Sequence, residues 1–123
     1  MKRIRTLIVD DEQIARSRIR KLLDNDPDID LIGECGNGTE AVSLIKDKKP
    51  DLVFLDIQMP DLDGFGVIEK LDTTKAPFII FATAYHEYAL KAFDVHAIDY
   101  LLKPFDDDRF SDSLQKAKEQ LNM

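Results

Sequence analysis

Residues 50–64 read Pro50-Asp51-Leu52-Val53-Phe54-Leu55-Asp56-Ile57-Gln58-Met59-Pro60-Asp61-Leu62-Asp63-Gly64. Four consecutive apolar residues, Leu52 to Leu55, follow a proline and end at an aspartate. A run this short, apolar at every position and bounded by turn residues, reads as a strand buried on both faces. Such strands belong to parallel sheets covered by helices on either side, so the rest of the chain should alternate between short apolar runs and amphipathic helices.

It does, in both directions. Upstream lie a branched run, Ile4 to Val9, a helical stretch from Gln13 to Asp24 with Ala15, Ile19, Leu22 and Leu23 on one face, a strand from Asp28 to Cys35 after Pro27, and a helix from Thr39 to Asp47. Downstream come a short helix from Gly64 to Leu71, an apolar strand from Phe78 to Ala82 after Pro77, a helix from Tyr85 to Asp94, a strand from Ile98 to Leu102, and a helix from Asp106 to Leu121 with Phe110, Leu114, Ala117 and Leu121 at helical spacing. Prolines stand at strand entrances or in loops, where a sheet tolerates them. Five βα units predict an α/β fold, a three-layer α/β/α domain with right-handed crossovers. The pattern leaves the strand order open.

Composition is consistent with one such domain. The chain has 123 residues, 44% of them hydrophobic, with 17 Lys and Arg against 24 Asp and Glu, a net charge of −7. A domain of this length buries roughly two thirds of its unfolded surface and needs no covalent staples. The expectation is a single domain over residues 1–123. No apolar run approaches the roughly 20 residues of a membrane span, and no signal peptide is legible. The lone Cys35 excludes a disulfide framework and suits the cytoplasm. Negative charge argues against direct nucleic-acid binding by this segment, because a polyanion requires a basic surface.

In parallel α/β sheets, ligands bind beyond the carboxyl ends of the strands. Those ends carry Asp10 and Asp11, then Asp56, then Thr83, then Lys103 followed by Pro104, with Glu12 beginning the first helical segment. Three carboxylates gathered at one edge repel one another unless a counter-charge is present. A hard divalent cation such as Mg²⁺, which takes one or two carboxylates and keeps exchangeable waters, meets that need. A carboxylate beside it is a plausible nucleophile toward phosphorus, with Lys103 pairing the incoming phosphoryl group and Thr83 donating to its oxygen. Gly33, Gly36 and Gly38 match neither common phosphate-loop spacing and read as turns. His86 and His96 lack metal-ligand spacing and read as exposed, and Cys35 as a small residue at a strand end.

Together, Val9-Asp10-Asp11-Glu12, Asp56 through Gly64, Ala82-Thr83-Ala84 and Lys103-Pro104-Phe105 resemble the receiver domain of two-component response regulators, over essentially the whole chain. Tyr85 through Phe93 and Ala97 through Phe105 are similar to the LytR/AlgR (LytTR) group. The resemblance implies a (βα)5, flavodoxin-like receiver with strand order 2-1-3-4-5. It implies Asp56 as phosphoacceptor, Mg²⁺ on Asp11, Asp56 and the Gln58 carbonyl with Asp10 acting mainly through water, Thr83 and Lys103 on the phosphate, and a cis peptide before Pro104. Tyr100 matches an aromatic switch position coupled to Thr83, and Gln58 and Tyr85 match positions flanking the phosphoryl group. Partners implied are a sensor histidine kinase and, on phosphorylation, a homodimer through the fourth helix, fifth strand and fifth helix. Members of the group usually carry a C-terminal DNA-binding output domain, expected to be absent from this chain. Asp61 and Gly66 depart from the usual pattern, where glycine and a larger residue are common.

Three other readings remain open on the residues. A flavodoxin-type electron carrier shares the topology and acidity, but Asp10-Asp11 would repel a flavin phosphate. An aspartate-nucleophile phosphohydrolase would need a cap that the length does not provide. A pseudo-receiver that only binds partners would not need Asp11, Asp56, Thr83 and Lys103 together. The receiver reading is not that of an enzyme acting on other molecules: it confines catalysis to transfer onto Asp56 and later hydrolysis.

Overall fold

The computed structural model describes residues 2–72 and 74–122. It contains β1 (Ile4–Val9), α1 (Gln13–Asp24), β2 (Ile29–Cys35), α2 (Gly38–Lys48), β3 (Leu52–Leu55), α3 (Gly64–Glu69), β4 (Phe78–Thr83), α4 (Ala89–Asp94), β5 (Asp99–Leu102) and α5 (Asp107–Asn122). The strands form one parallel sheet of order β2-β1-β3-β4-β5. The order reverses beside β1, which places the edge of β1, β3 and β4 at the switch point where such folds bind ligands.

Alternation along the strands divides the core into two layers. On one face, Leu7, Val9, Val53, Leu55 and Phe81 pack with Ala41 and Ile45 of α2, Phe65 and Val67 of α3, and Ala92 of α4. On the other, Ile8, Phe54, Ile80 and Leu101 pack with Ile19 and Leu23 of α1 and Phe110, Leu114 and Ala117 of α5. The Phe54 and Phe110 rings stack at 5.3 Å between centroids. Leu52 to Leu55 is buried at every position, as a strand covered on both faces must be.

Element boundaries differ from the sequence reading mainly at α4. Its regular turns begin at Ala89, not Tyr85. Tyr85 to Tyr88 form an irregular loop because their polar groups bond outside a helix: Tyr85 N–H donates to the Thr83 hydroxyl, the Tyr85 carbonyl accepts the Tyr100 hydroxyl, and the Tyr88 hydroxyl accepts from the Gln58 amide. No helix among the described residues is long and apolar enough to cross a membrane.

Helix α2 is closed at its start from two sides. Asn37 accepts from Glu40 N–H at 2.8 Å, and Asp61, arriving from the β3–α3 loop, accepts from Gly38 and Thr39 N–H at 3.0 and 3.1 Å. These hydrogen bonds, first those involving Thr39, hold the Asp61 carboxyl down at about 2. They satisfy helix-terminal donors that otherwise lack partners. Gly38 is required by this docking: a Cβ there would stand 2.1 Å from the Leu62 carbonyl oxygen.

Candidate functional site at the acidic edge of the sheet

Backbone ladders continue past the strands and carry the site residues with them. Asp56 N–H donates to the Val9 carbonyl at 2.9 Å, and Asp10 N–H to the Cys35 carbonyl at 3.1 Å. Lys103 N–H donates to the Thr83 carbonyl at 2.8 Å. Adjacent strands therefore present Asp10, Asp56, Thr83 and Lys103 at one edge, although they lie far apart in sequence.

Asp10, Asp11 and Asp56 each bring a carboxylate oxygen within 4.8 Å of the other two. Asp10 and Asp56 are buried, at 1% and 6% exposure, while Asp11 faces solvent. Lys103, the residue after β5, brings its Nζ 2.7 Å from Asp10 Oδ2, 3.3 Å from Asp56 Oδ2 and 3.4 Å from Glu12 Oε1. Burial raises the Asp10 pKa above its ordinary value and the Asp56 charge adds to this, against the opposing pull of Lys103 and the Glu12 N–H. Burial also works against the Lys103 ammonium, but the two carboxylates outweigh it and its pKa is raised.

The remaining oxygens are held by the chain. Asp10 Oδ1 accepts from Glu12 N–H at 2.9 Å, and Asp56 Oδ1 from Ile57 N–H at 2.7 Å. Arg16 of α1 donates to the Asp10 carbonyl at 2.5 Å and pairs with Glu34 at 3.4 Å, fixing the turn that presents Asp10 and Asp11. Thr83 is fully buried at the end of β4, and its hydroxyl accepts from Tyr85 N–H at 3.3 Å. The Lys103–Pro104 peptide is cis. Arg18 clamps the following loop, donating to the Phe105 carbonyl at 2.7 Å and lying over the Phe105 ring.

Asp10, Asp11, Asp56, Thr83 and Lys103 thus meet at one edge. Gln58 lies just beyond Asp56, exposed, with its side-chain amide donating to the Tyr88 hydroxyl at 2.9 Å. Tyr100 stands farther out, half-buried, its ring 6.2 Å from Phe81 and its hydroxyl on the Tyr85 carbonyl. Tyr85 is 42% exposed. Both histidines are exposed, and Cys35 is buried at the end of β2, where burial above all pushes its thiol up to about 11. A thiol held so far up carries little thiolate near neutral pH.

Two features escaped the sequence reading. Arg16 and Tyr88 act through contacts between elements, and their spacing from the site residues carries no periodic signal. On the outward face of α4, one of the elements of the expected dimer surface, Leu90 and Phe93 are 83% and 79% exposed.

The donor set fits a divalent cation. Three carboxylates share one nearby ammonium, leaving negative charge in excess, and all the ligands are hard oxygens.

A family model described as response regulator receiver domain matches residues 6–115. Among curated proteins, the transcriptional regulatory protein BtsR of Salmonella typhi is 45% identical over 95% of this chain and 49% of its own length. The sensory transduction protein LytT of Enterococcus faecalis is 45% identical over 94% of this chain and 48% of its own. The chain spans about half the length of the curated relatives it matches. Among solved structures, the response regulatory domain of mrkE from Klebsiella pneumoniae superposes with a TM-score of 0.87 at 32% identity, covering 95% of this chain and 97% of that one. The REC domain of AraT from Geobacillus stearothermophilus gives 0.87 at 35% identity, covering 97% and 95%.

Proposed function

The chain belongs to the response regulator receiver family, its relatives BtsR and LytT consistent with the LytTR group, and from that premise we propose that it is a phosphorylation-driven switch whose Asp56 accepts a phosphoryl group from a sensor histidine kinase. The observation that carries this reading is the meeting of Asp10, Asp11 and Asp56 within 4.8 Å around the single ammonium of Lys103.

The residues divide the work. Asp56 Oδ2, paired with Lys103 rather than tied to backbone, is the oxygen placed to attack phosphorus. Lys103 neutralises charge on the arriving group, and the Thr83 hydroxyl donates to one of its oxygens. Asp11, Asp56 and the Gln58 carbonyl would hold Mg²⁺, with Asp10 acting through its water. Bound there, Mg²⁺ would neutralise the phosphoryl oxygens. The donor docks beside this edge, where Ile14 of α1 is 86% exposed close to Lys103, Pro104 and Phe105.

Movement of Thr83 toward the phosphate would shift Tyr100 and the loop it anchors, re-forming the surface of α4, β5 and α5 for homodimerisation. In a full-length protein, an attached transcriptional output domain would read that change, with DNA contacted only through it. Turnover is confined to Asp56 itself, and the setting is cytoplasmic.

Intact mass after incubation with acetyl phosphate and Mg²⁺ tests the reading. A single phosphoryl adduct that requires Mg²⁺ and is absent from Asp56→Asn supports it. An adduct retained in Asp56→Asn would assign the chemistry to another residue.

A further inference from the structure

The three carboxylates of the acidic edge are not held alike. Asp10 is anchored by Lys103 and the Glu12 N–H, and Asp56 by Lys103 and the Ile57 N–H. Asp11 faces solvent, and no hydrogen bond or ion pair among the described residues holds its carboxylate. Its place within 4.8 Å of the other two is therefore set by the backbone that carries it. That backbone runs through the Asp10 carbonyl, which lies in the peptide plane joining Asp10 to Asp11. Arg16, early in α1, donates to this carbonyl through Nη1 at 2.5 Å. The guanidinium is itself braced. Its Nε stands 3.4 Å from Glu34 Oε1 on β2, and the other Glu34 oxygen pairs with Arg20, one turn further along α1. The Arg16 and Glu34 side chains are only 21% and 24% exposed. Gly36 leaves the room they need: a Cβ there would stand 3.3 Å from Arg16 Nη1 and 3.8 Å from the Asp10 carbonyl oxygen. A helix side chain, a strand residue and the turn after that strand converge on one peptide plane.

We propose that Arg16 is a positioning residue for the cation site: braced by Glu34, it fixes the Asp10–Asp11 peptide so that the Asp11 carboxylate stands ready as a ligand for Mg²⁺. The inference rests on the reading of the acidic edge as a Mg²⁺ site. The sign of the effect separates positioning from charge. A guanidinium near the site repels a second cation, so through charge alone its removal would tighten Mg²⁺ binding. Through position its removal weakens binding, because the Asp10–Asp11 turn must then be ordered as the ion arrives, at a cost in conformational entropy.

The test is the Mg²⁺ dissociation constant, read from backbone amide shifts at fixed ionic strength and without a phosphoryl donor. It is measured in wild type, Arg16→Met, Glu34→Gln, Asp11→Asn, and Arg16→Met combined with Asp11→Asn. Arg16→Met keeps much of the aliphatic stem, and metal-free thermal midpoints report whether each variant folds. The expected result for Arg16→Met is binding about tenfold weaker, the scale on which partners that orient metal ligands act. Glu34→Gln, which leaves Arg16 in place but unbraced, should show a smaller loss. Adding Arg16→Met to Asp11→Asn should weaken binding no further, because the ligand it positions is already gone. Equal or tighter binding in Arg16→Met than in wild type, or the same loss with and without Asp11, would overturn the inference while leaving the Mg²⁺ site in place. If Arg16→Met does not fold, Glu34→Gln decides on the same terms, unchanged or tighter binding counting against the inference. A wild-type chain that binds no Mg²⁺ would overturn the reading of the site as well.

Discussion

Lys103 Nζ lies 2.7 Å from Asp10 Oδ2 across 93 residues of sequence, at the point where the outermost strand turns back over the site. The pair is almost closed to solvent, with side-chain exposures of 16% and 2%. Lys103 also reaches Asp56 and Glu12, so one ammonium offsets only part of the charge of the acidic edge.

Removing it should therefore be costly. Lys103→Met keeps the aliphatic stem but leaves buried Asp10 without its cation, and stability should fall by about 2 kcal/mol in urea denaturation without metal. Adding Asp10→Asn should restore most of the loss, because the orphaned charge is gone. If the double variant is no more stable than Lys103→Met, the ion pair is not the cause.

Glycines around the acceptor loop should divide by what their missing side chain would meet. Cβ atoms at Gly38 and Gly64 would stand 2.1 Å from the Leu62 carbonyl oxygen and 2.6 Å from that of Asp56, both backbone. Gly38→Ala and Gly64→Ala should each cost about 2 kcal/mol or more. At Gly66 the nearest atom is a Leu62 side-chain methyl that can rotate away, so Gly66→Ala should be close to neutral, helped by better helix propensity. Melting curves of the three variants check this ranking.

Asp99 predicts an acid-sensitive joint between β5 and α5. Burial would raise its pKa, but two hydrogen bonds from Arg109 at 2.7 and 2.9 Å and one from Tyr100 N–H at 2.8 Å outweigh it, leaving about 2 against an ordinary 3.8. A depressed folded-state pKa contributes stability above the unfolded value and loses it as pH falls through the folded one. Asp99→Asn should cost about 2 kcal/mol at neutral pH, less whatever solvent screens around half-exposed Arg109. The gap to wild type should close between about pH 4 and pH 2. A gap independent of pH would sink this assignment.

The exposed apolar residues of α4 give the proposed dimer a handle. With beryllofluoride and Mg²⁺, sedimentation of the wild type should shift toward a dimer, whereas Phe93→Asp should remain monomeric, because a charge would be buried in the contact. Identical monomers with and without the phosphoryl mimic would argue against the α4 surface as the dimer contact.

Much of this molecule was legible in the chain alone. Strand β3 could be read from four apolar residues between a proline and an aspartate, and Asp10, Asp56, Thr83 and Lys103 were placed at one edge because parallel strands all end on the same side. Those are consequences of local pattern and of the handedness of βα units. What the tertiary structure alone decided are relationships between loops that share no pattern. Asp61 closes the start of α2 from another element, and Arg16 holds the Asp10 turn by a backbone carbonyl. Tyr85 to Tyr88 stay out of helix because they bond to β5 and to Gln58. Hydrophobic periodicity reports which face of an element is buried, whereas a hydrogen bond between two loops depends on where three-dimensional packing sets them down.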